Sequence, residues 1–121
     1  MLRFLLVGLG GALGSMARYS IGVATEYWRY PWATLGINLA GSFALGLFLT
    51  WALGRWPVTA ITPISVGLLG GFTTFSAFSW ESFVLVRSGR LTPAIVYMFV
   101  SVVGGMLLAG LGYMLARPSG G

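Results

Sequence analysis

The chain contains no cysteine and no histidine. A disulfide scaffold is excluded, and so are the usual Cys/His zinc sites. Lysine is missing too: all seven basic residues are arginines. The only acids are Glu26 and Glu81. Charged residues make up 7% of the chain, far below a soluble domain's share. The net charge of +5 raises nucleic acid as a partner, but the arginines stand singly between apolar runs. They read as membrane-boundary anchors, not as a phosphate-binding stripe, so no nucleic-acid partner is expected. The chain does not read as an enzyme.

What is present is apolar. Of 121 residues, 57% are hydrophobic, and the mean hydropathy is +0.89. Four apolar stretches follow one another, at about 4–24, 32–53, 61–86 and 92–116. Each reaches the roughly 20 residues that a membrane-spanning helix needs. The connections are short, so the expectation is a single all-α, four-helix membrane domain with no separate soluble part. Pro31, Pro57, Pro63 and Pro93 are expected at or near helix starts, where a missing N–H is tolerated. Trp28, Tyr30, Trp32, Trp51 and Trp56 sit near the ends, as an interfacial aromatic belt would. Arg3 and the apolar run after it resemble a signal peptide, but the glycine pattern and Arg18 favour a retained first span. The tail from Arg117 to Gly121 reads as a frayed end.

The glycines have two readings. Gly8-Leu9-Gly10-Gly11-Ala12-Leu13-Gly14 looks like a dinucleotide fingerprint, but the G-x-G-x-x-G spacing fails at Leu13. Close helix packing is the better reading. Gly10/Gly14, Gly67/Gly71 and Gly105/Ala109 are each a small-xxx-small pair.

Charge placement bears on orientation. Arg3, Arg55 and Arg117 fall on one side of the membrane, and Arg29, Arg87 and Arg90 on the other. The positive-inside rule has no bias to act on. Such a chain can insert both ways, and two opposed copies can then pair.

The central anomaly is Gly70-Gly71-Phe72-Thr73-Thr74-Phe75-Ser76-Ala77-Phe78-Ser79, in the middle of the third span. Adjacent glycines weaken a helix, and hydroxyls in lipid need partners. Irregular backbone at this depth is tolerated where it is buried in protein or lines a wet cavity. Other spans carry polar stripes as well. Thr34, Asn38 and Ser42 recur every four residues, as do Tyr97, Ser101 and Gly105. Thr73, Ser76, Ser79 and Ser82 recur every three, beside Phe72, Phe75 and Phe78. A lone hydroxyl often bonds its own helix, and phenylalanines often only pack. Three striped helices together point to a shared path.

The donors on that path are the Asn38 amide, hydroxyls and the Tyr97 phenol. Phenyl rings also present electropositive edges. No acid is expected deep in the bilayer, since Glu81 falls near the outer part of the third span. Arg18, about two turns inside the end of the first helix, can hold an anion near a pore mouth. This lining suits a small anion. A small multidrug-type exporter is the main alternative, but it carries a membrane-embedded Glu in its first helix. A non-transporting membrane assembly subunit is the other, and it does not need the stripes.

Three motifs then resemble the Fluc/CrcB fluoride channels along nearly the whole chain. They are Gly10-Gly11-Ala12-Leu13-Gly14-Ser15-Met16-Ala17-Arg18-Tyr19, Asn38-Leu39-Ala40-Gly41-Ser42-Phe43, and the Gly70–Ser79 segment. The resemblance implies passive fluoride export across a bacterial inner membrane. It implies an antiparallel, dual-topology homodimer with two pores and a third helix broken at its centre. By the same resemblance, Phe75 and Phe78 face fluoride with their ring edges, Asn38 is the pore amide, and Thr34, Tyr97 and Ser101 form a polar track. Arg18 and Glu81 match vestibule residues. The carbonyls of Gly70 and Thr73 match those that hold a structural sodium ion. Two positions depart from the family pattern. Gly105 stands where many members place a hydroxyl, and Ala77 stands where Thr is more usual.

Overall fold

The computed structural model describes residues 1–25 and 31–119. The features expected at Glu26, Trp28, Arg29 and Tyr30, and at the Gly120-Gly121 end, lie outside the described residues. Helix α1 spans Leu2–Ala24 and α2 spans Trp32–Ala52. The third span is a chain of pieces: α3 (Val58–Thr62), a π-helical stretch (Pro63–Leu69), α4 (Gly70–Phe72) and α5 (Phe75–Arg87). Helix α6 spans Leu91–Ala116. By length and composition, four helical units are able to cross a membrane: α1, α2, the composite Val58–Arg87 unit, and α6.

The ends follow from local chemistry. Pro31 and Pro57 sit at the N-caps of α2 and α3, where no N–H is needed. Gly54 (φ 85°) and Gly89 (φ 79°) take the left-handed conformation that turns the chain after α2 and α5. At the α2 end, Trp51 and Trp56 meet edge to face, with ring centroids 5.1 Å apart. The Arg55 guanidinium lies over the Trp51 ring, 5.8 Å from its centroid. This is an interfacial anchor of the expected kind.

Pro63 departs from expectation. It lies inside the third span, because the helix already begins at Val58. A proline there removes one backbone hydrogen bond and crowds the carbonyl four residues back. The chain absorbs this in the wider π turns from Pro63 to Leu69.

Packing divides the molecule into two pairs. Helix α1 packs on the π stretch and α4, and α2 packs on α6. Both seams are backbone against backbone. A Cβ added to Gly14 would run into the Leu68 carbonyl and lie 2.7 Å from the Phe72 nitrogen. A Cβ on Gly71 would come within 2.7 Å of the Gly11 carbonyl oxygen. On the other seam, Gly46 faces the Ala109 carbonyl, and Gly112 faces the backbone of Phe43 and Leu47. Small residues let the helix axes close in and so maximise dispersion contact where lipid offers no hydrophobic drive. Helix α5 joins the second pair, through a buried cluster of Leu35, Leu85, Ala94 and Tyr97 with Phe78 packed against it.

Candidate ion path at a broken helix

The helix breaks at Thr73 and Thr74. Their backbones are extended, with φ/ψ of −79°/158° and −149°/122°. Asn38 holds the break open. Its Nδ2 donates to the Thr74 carbonyl (2.9 Å), and its Oδ1 accepts from the Thr74 N–H (2.8 Å). The amide thereby pairs the Thr74 N–H, which no longer closes a helical turn, and also grips the Thr74 carbonyl. The Thr74 side chain then starts the next helix, its Oγ1 accepting from the Ala77 N–H at 3.1 Å. This is an N-cap.

These bonds strip two carbonyls of their helical partners. The Thr74 N–H that would close the turn on Gly70 goes to Asn38. The Ala77 N–H that would close the turn on Thr73 goes to Thr74 Oγ1. The carbonyl between them is used differently: Arg18 Nε donates to Gly71 O at 3.3 Å. Gly70 and Thr73 both line a groove of about 310 Å³ that opens beside the break. Among the described residues, no group of three or more His, Cys, Asp or Glu side chains is placed to hold a metal ion.

The same groove gathers Asn38, Ser42, Phe75, Phe78 and Ser101. Phe75 and Phe78 lie 5.8 Å apart, centroid to centroid, and Phe78 lies 5.3 Å from Tyr97. Phe75 is 79% exposed, so one chain leaves the groove open on that side. The buried Ser101 hydroxyl has no hydrogen-bond partner. A buried, unpaired hydroxyl is costly and calls for an explanation. Ser42 matters more than its place in a stripe suggested. A Cβ on Gly105 would lie 3.4 Å from Ser42 Oγ, so a hydroxyl stands beside the glycine that lacks one.

A second cavity, of about 440 Å³, lies on the other side of the break. Arg18, Thr34, Thr74, Ala77 and Glu81 line it. Thr74 touches both cavities. Glu81 draws together two of the expected track residues. Thr34 Oγ1 donates to Glu81 Oε1 and the Tyr97 hydroxyl donates to Oε2, both at 2.8 Å. Each hydroxyl has one proton, and both protons are directed at the carboxylate.

The serine–threonine stripe of the third span is not one continuous surface. Thr73 Oγ1 donates to Leu69 O and Ser82 Oγ to Phe78 O, each bonding back to its own helix. Ser76 and Ser79 lie beyond the break. The bland reading of intrahelical bonding holds for Thr73 and Ser82. Thr74, which had no assigned role, is the residue that makes the break.

Four helical units able to cross a membrane, one broken at mid-span between two polar cavities, define the class as a multi-pass membrane protein. The chain belongs to the CrcB family. The family model described as CrcB-like protein, Camphor Resistance (CrcB), matches residues 5–113. Among its relatives is a fluoride-specific ion channel FluC of Thermus thermophilus, 46% identical over 93% of this chain and 92% of the relative. The FluC of Nitrobacter winogradskyi is 44% identical over 88% and 90% of the two chains. The FluC 1 of Bacillus thuringiensis subsp. konkukian is 41% identical over 94% and 87%. The resemblance read from the three motifs is borne out, and the relatives place the chain among bacterial multi-pass membrane proteins.

Proposed function

We propose that this chain is a fluoride channel that drains the ion passively, working as an antiparallel pair of copies with two pores. The observation that carries the reading is the groove beside the break. It joins a buried, unpartnered hydroxyl, Ser101, to the Phe75 and Phe78 rings and the Asn38 amide, with no carboxylate among its lining residues. A small anion would supply the acceptor that Ser101 lacks. Asn38 spends its Oδ1 and one N–H on Thr74, which leaves the second N–H of Nδ2 for the ion. Ring edges add weak positive potential without a fixed charge that would trap the ion.

Arg18 anchors the vestibule end. Its Nε serves Gly71, and the remaining guanidinium donors belong to the cavity that it shares with Glu81. A passing fluoride competes with Glu81 for the protons of Thr34 and Tyr97. The exposed Phe75 face and the balanced arginines support a second, inverted copy that closes each groove. Gly70 and Thr73, whose carbonyls lack helical partners, suit a structural sodium ion shared between copies. When bound, it would neutralise those oxygens and hold the two broken helices together. Exchange of sodium for N-methyl-glucamine is then expected to lower the thermal stability of the purified dimer.

The multidrug-exporter reading gains nothing from the geometry, since α1 carries Arg18 and no acid. The test is efflux from liposomes holding the purified protein. Fluoride release should be rapid and chloride release should stay at the protein-free leak. Equal release of both ions, or of neither, would overturn the proposal. Single-cysteine crosslinking in membranes tests the pairing: bonds between sites at opposite ends of one helix support inverted copies, and bonds only between like ends refute them.

A further inference from the structure

A third cavity, of about 400 Å³, lies between the starts of α2 and α6 and belongs to neither side of the break. Trp32 and Leu35 form one wall, and Val96 and Val100 the other. Polar side chains enter it only at one end, from Arg90 and Thr92. Thr92, Val96 and Val100 recur every four residues, so they form a stripe on α6. That stripe is offset from Tyr97 and Ser101, which turn to α5 and the ion groove. Val96 is half exposed, and none of the described residues closes the slot over it.

Among the described residues, the charge at its mouth is all of one sign. Arg90 is the N-cap residue of α6, and Arg87 lies in the last turn of α5. Among the described residues the only acidic side chain is Glu81, and both of its oxygens already accept hydrogen bonds from Thr34 and Tyr97. An exposed arginine therefore stands over an apolar slot at the level where α6 enters the membrane. From residue 92 to residue 100 the slot runs about 12 Å along the helix. A cation at the boundary, an indole beside it and an apolar trough leading inward fit a phospholipid: phosphate outside, acyl chain within.

We propose that the Trp32–Arg90–Val100 slot is a binding site for one anionic phospholipid, with its phosphate at Arg90 and one acyl chain between Leu35, Val96 and Val100. The site faces away from the ion groove and does not depend on what the groove conducts.

Native mass spectrometry of the purified dimer tests it, using phosphatidylglycerol and phosphatidylcholine with the same chains. The wild type should keep phosphatidylglycerol in preference. Arg90→Gln should lower that preference about fivefold, the weight of one basic residue at an anionic surface. Val96→Trp fills the trough and keeps the charge, so it should reduce retention of both lipids. Both substitutions are at exposed positions, and an unchanged helical circular-dichroism spectrum checks folding. Equal retention of the two lipids by the wild type would overturn the site, as would retention unmoved by both variants. If Val96→Trp instead splits the dimer and leaves lipid retention unchanged, a second copy occupies the slot and the lipid proposal fails.

Discussion

The third span behaves as two different materials on either side of Thr74. Before the break, its surface is glycine and backbone, pressed against the glycines of α1. Beyond the break, α5 projects Phe75, Phe78 and Glu81 toward α2 and α6, and contact is made by side chains. At Gly67 and Gly71 the first half has no room for an added atom. The second half faces open volume, which the unpaired Ser101 hydroxyl of α6 also lines. A single chain can thus hold a break rigidly and still leave room for an ion, because the glycine seam against α1 and the open groove lie on different faces of the span. Asn38 joins them, since it clamps the break and also lines the groove.

The comparison is broken most severely at the glycine seam. Gly14→Val places two γ carbons beyond a Cβ that already collides with the Leu68 carbonyl. Neighbouring backbone cannot yield as a side-chain tip can, so the cost exceeds the usual ~1–3 kcal/mol of overpacking. Loss of monodisperse protein on size exclusion is expected. The clamp comes next. Asn38→Leu strands the Thr74 N–H, at a cost of about 1–3 kcal/mol when left unpaired. A clearly lowered melting temperature should accompany the loss of fluoride efflux. Thr74→Ala removes only the cap of α5, a loss of about 0.5–2 kcal/mol. Thermal unfolding should show the smaller drop. Gly105→Ser sharpens the open half with the least disturbance. The new Cβ would sit 3.4 Å from Ser42 Oγ, in a half-buried place that has room to adjust. Melting should be unchanged within error, and efflux should be kept.

The sequence was most legible where a residue's own type carries the signal. Four apolar runs specify four spans. Paired glycines and threonines mark the place where the third helix gives way. What stayed hidden was the partner of each polar group. A period of four shows that Thr34 and Asn38 share a face, but not what lies opposite. Thr34 meets Glu81 across 47 positions of sequence, and Asn38 meets Thr74 across 36. No local pattern encodes either pairing. Asn38 read as a donor for an ion, whereas its first use is to satisfy a broken backbone. Pro63 misled for a related reason. A proline normally marks a helix start, and only the π turns after it let the helix run through.

The most direct measurement is fluoride efflux from liposomes carrying Phe75→Ile beside the wild type. Phe75 is 79% exposed and stands clear of the glycine seam, so the variant should fold normally, and size exclusion checks that it still pairs. Efflux should fall about tenfold or more, the change that ~1.4 kcal/mol of added barrier brings, with the melting temperature unmoved. Wild-type efflux from a well-folded Phe75→Ile dimer would contradict the placement of the ion path beyond the break.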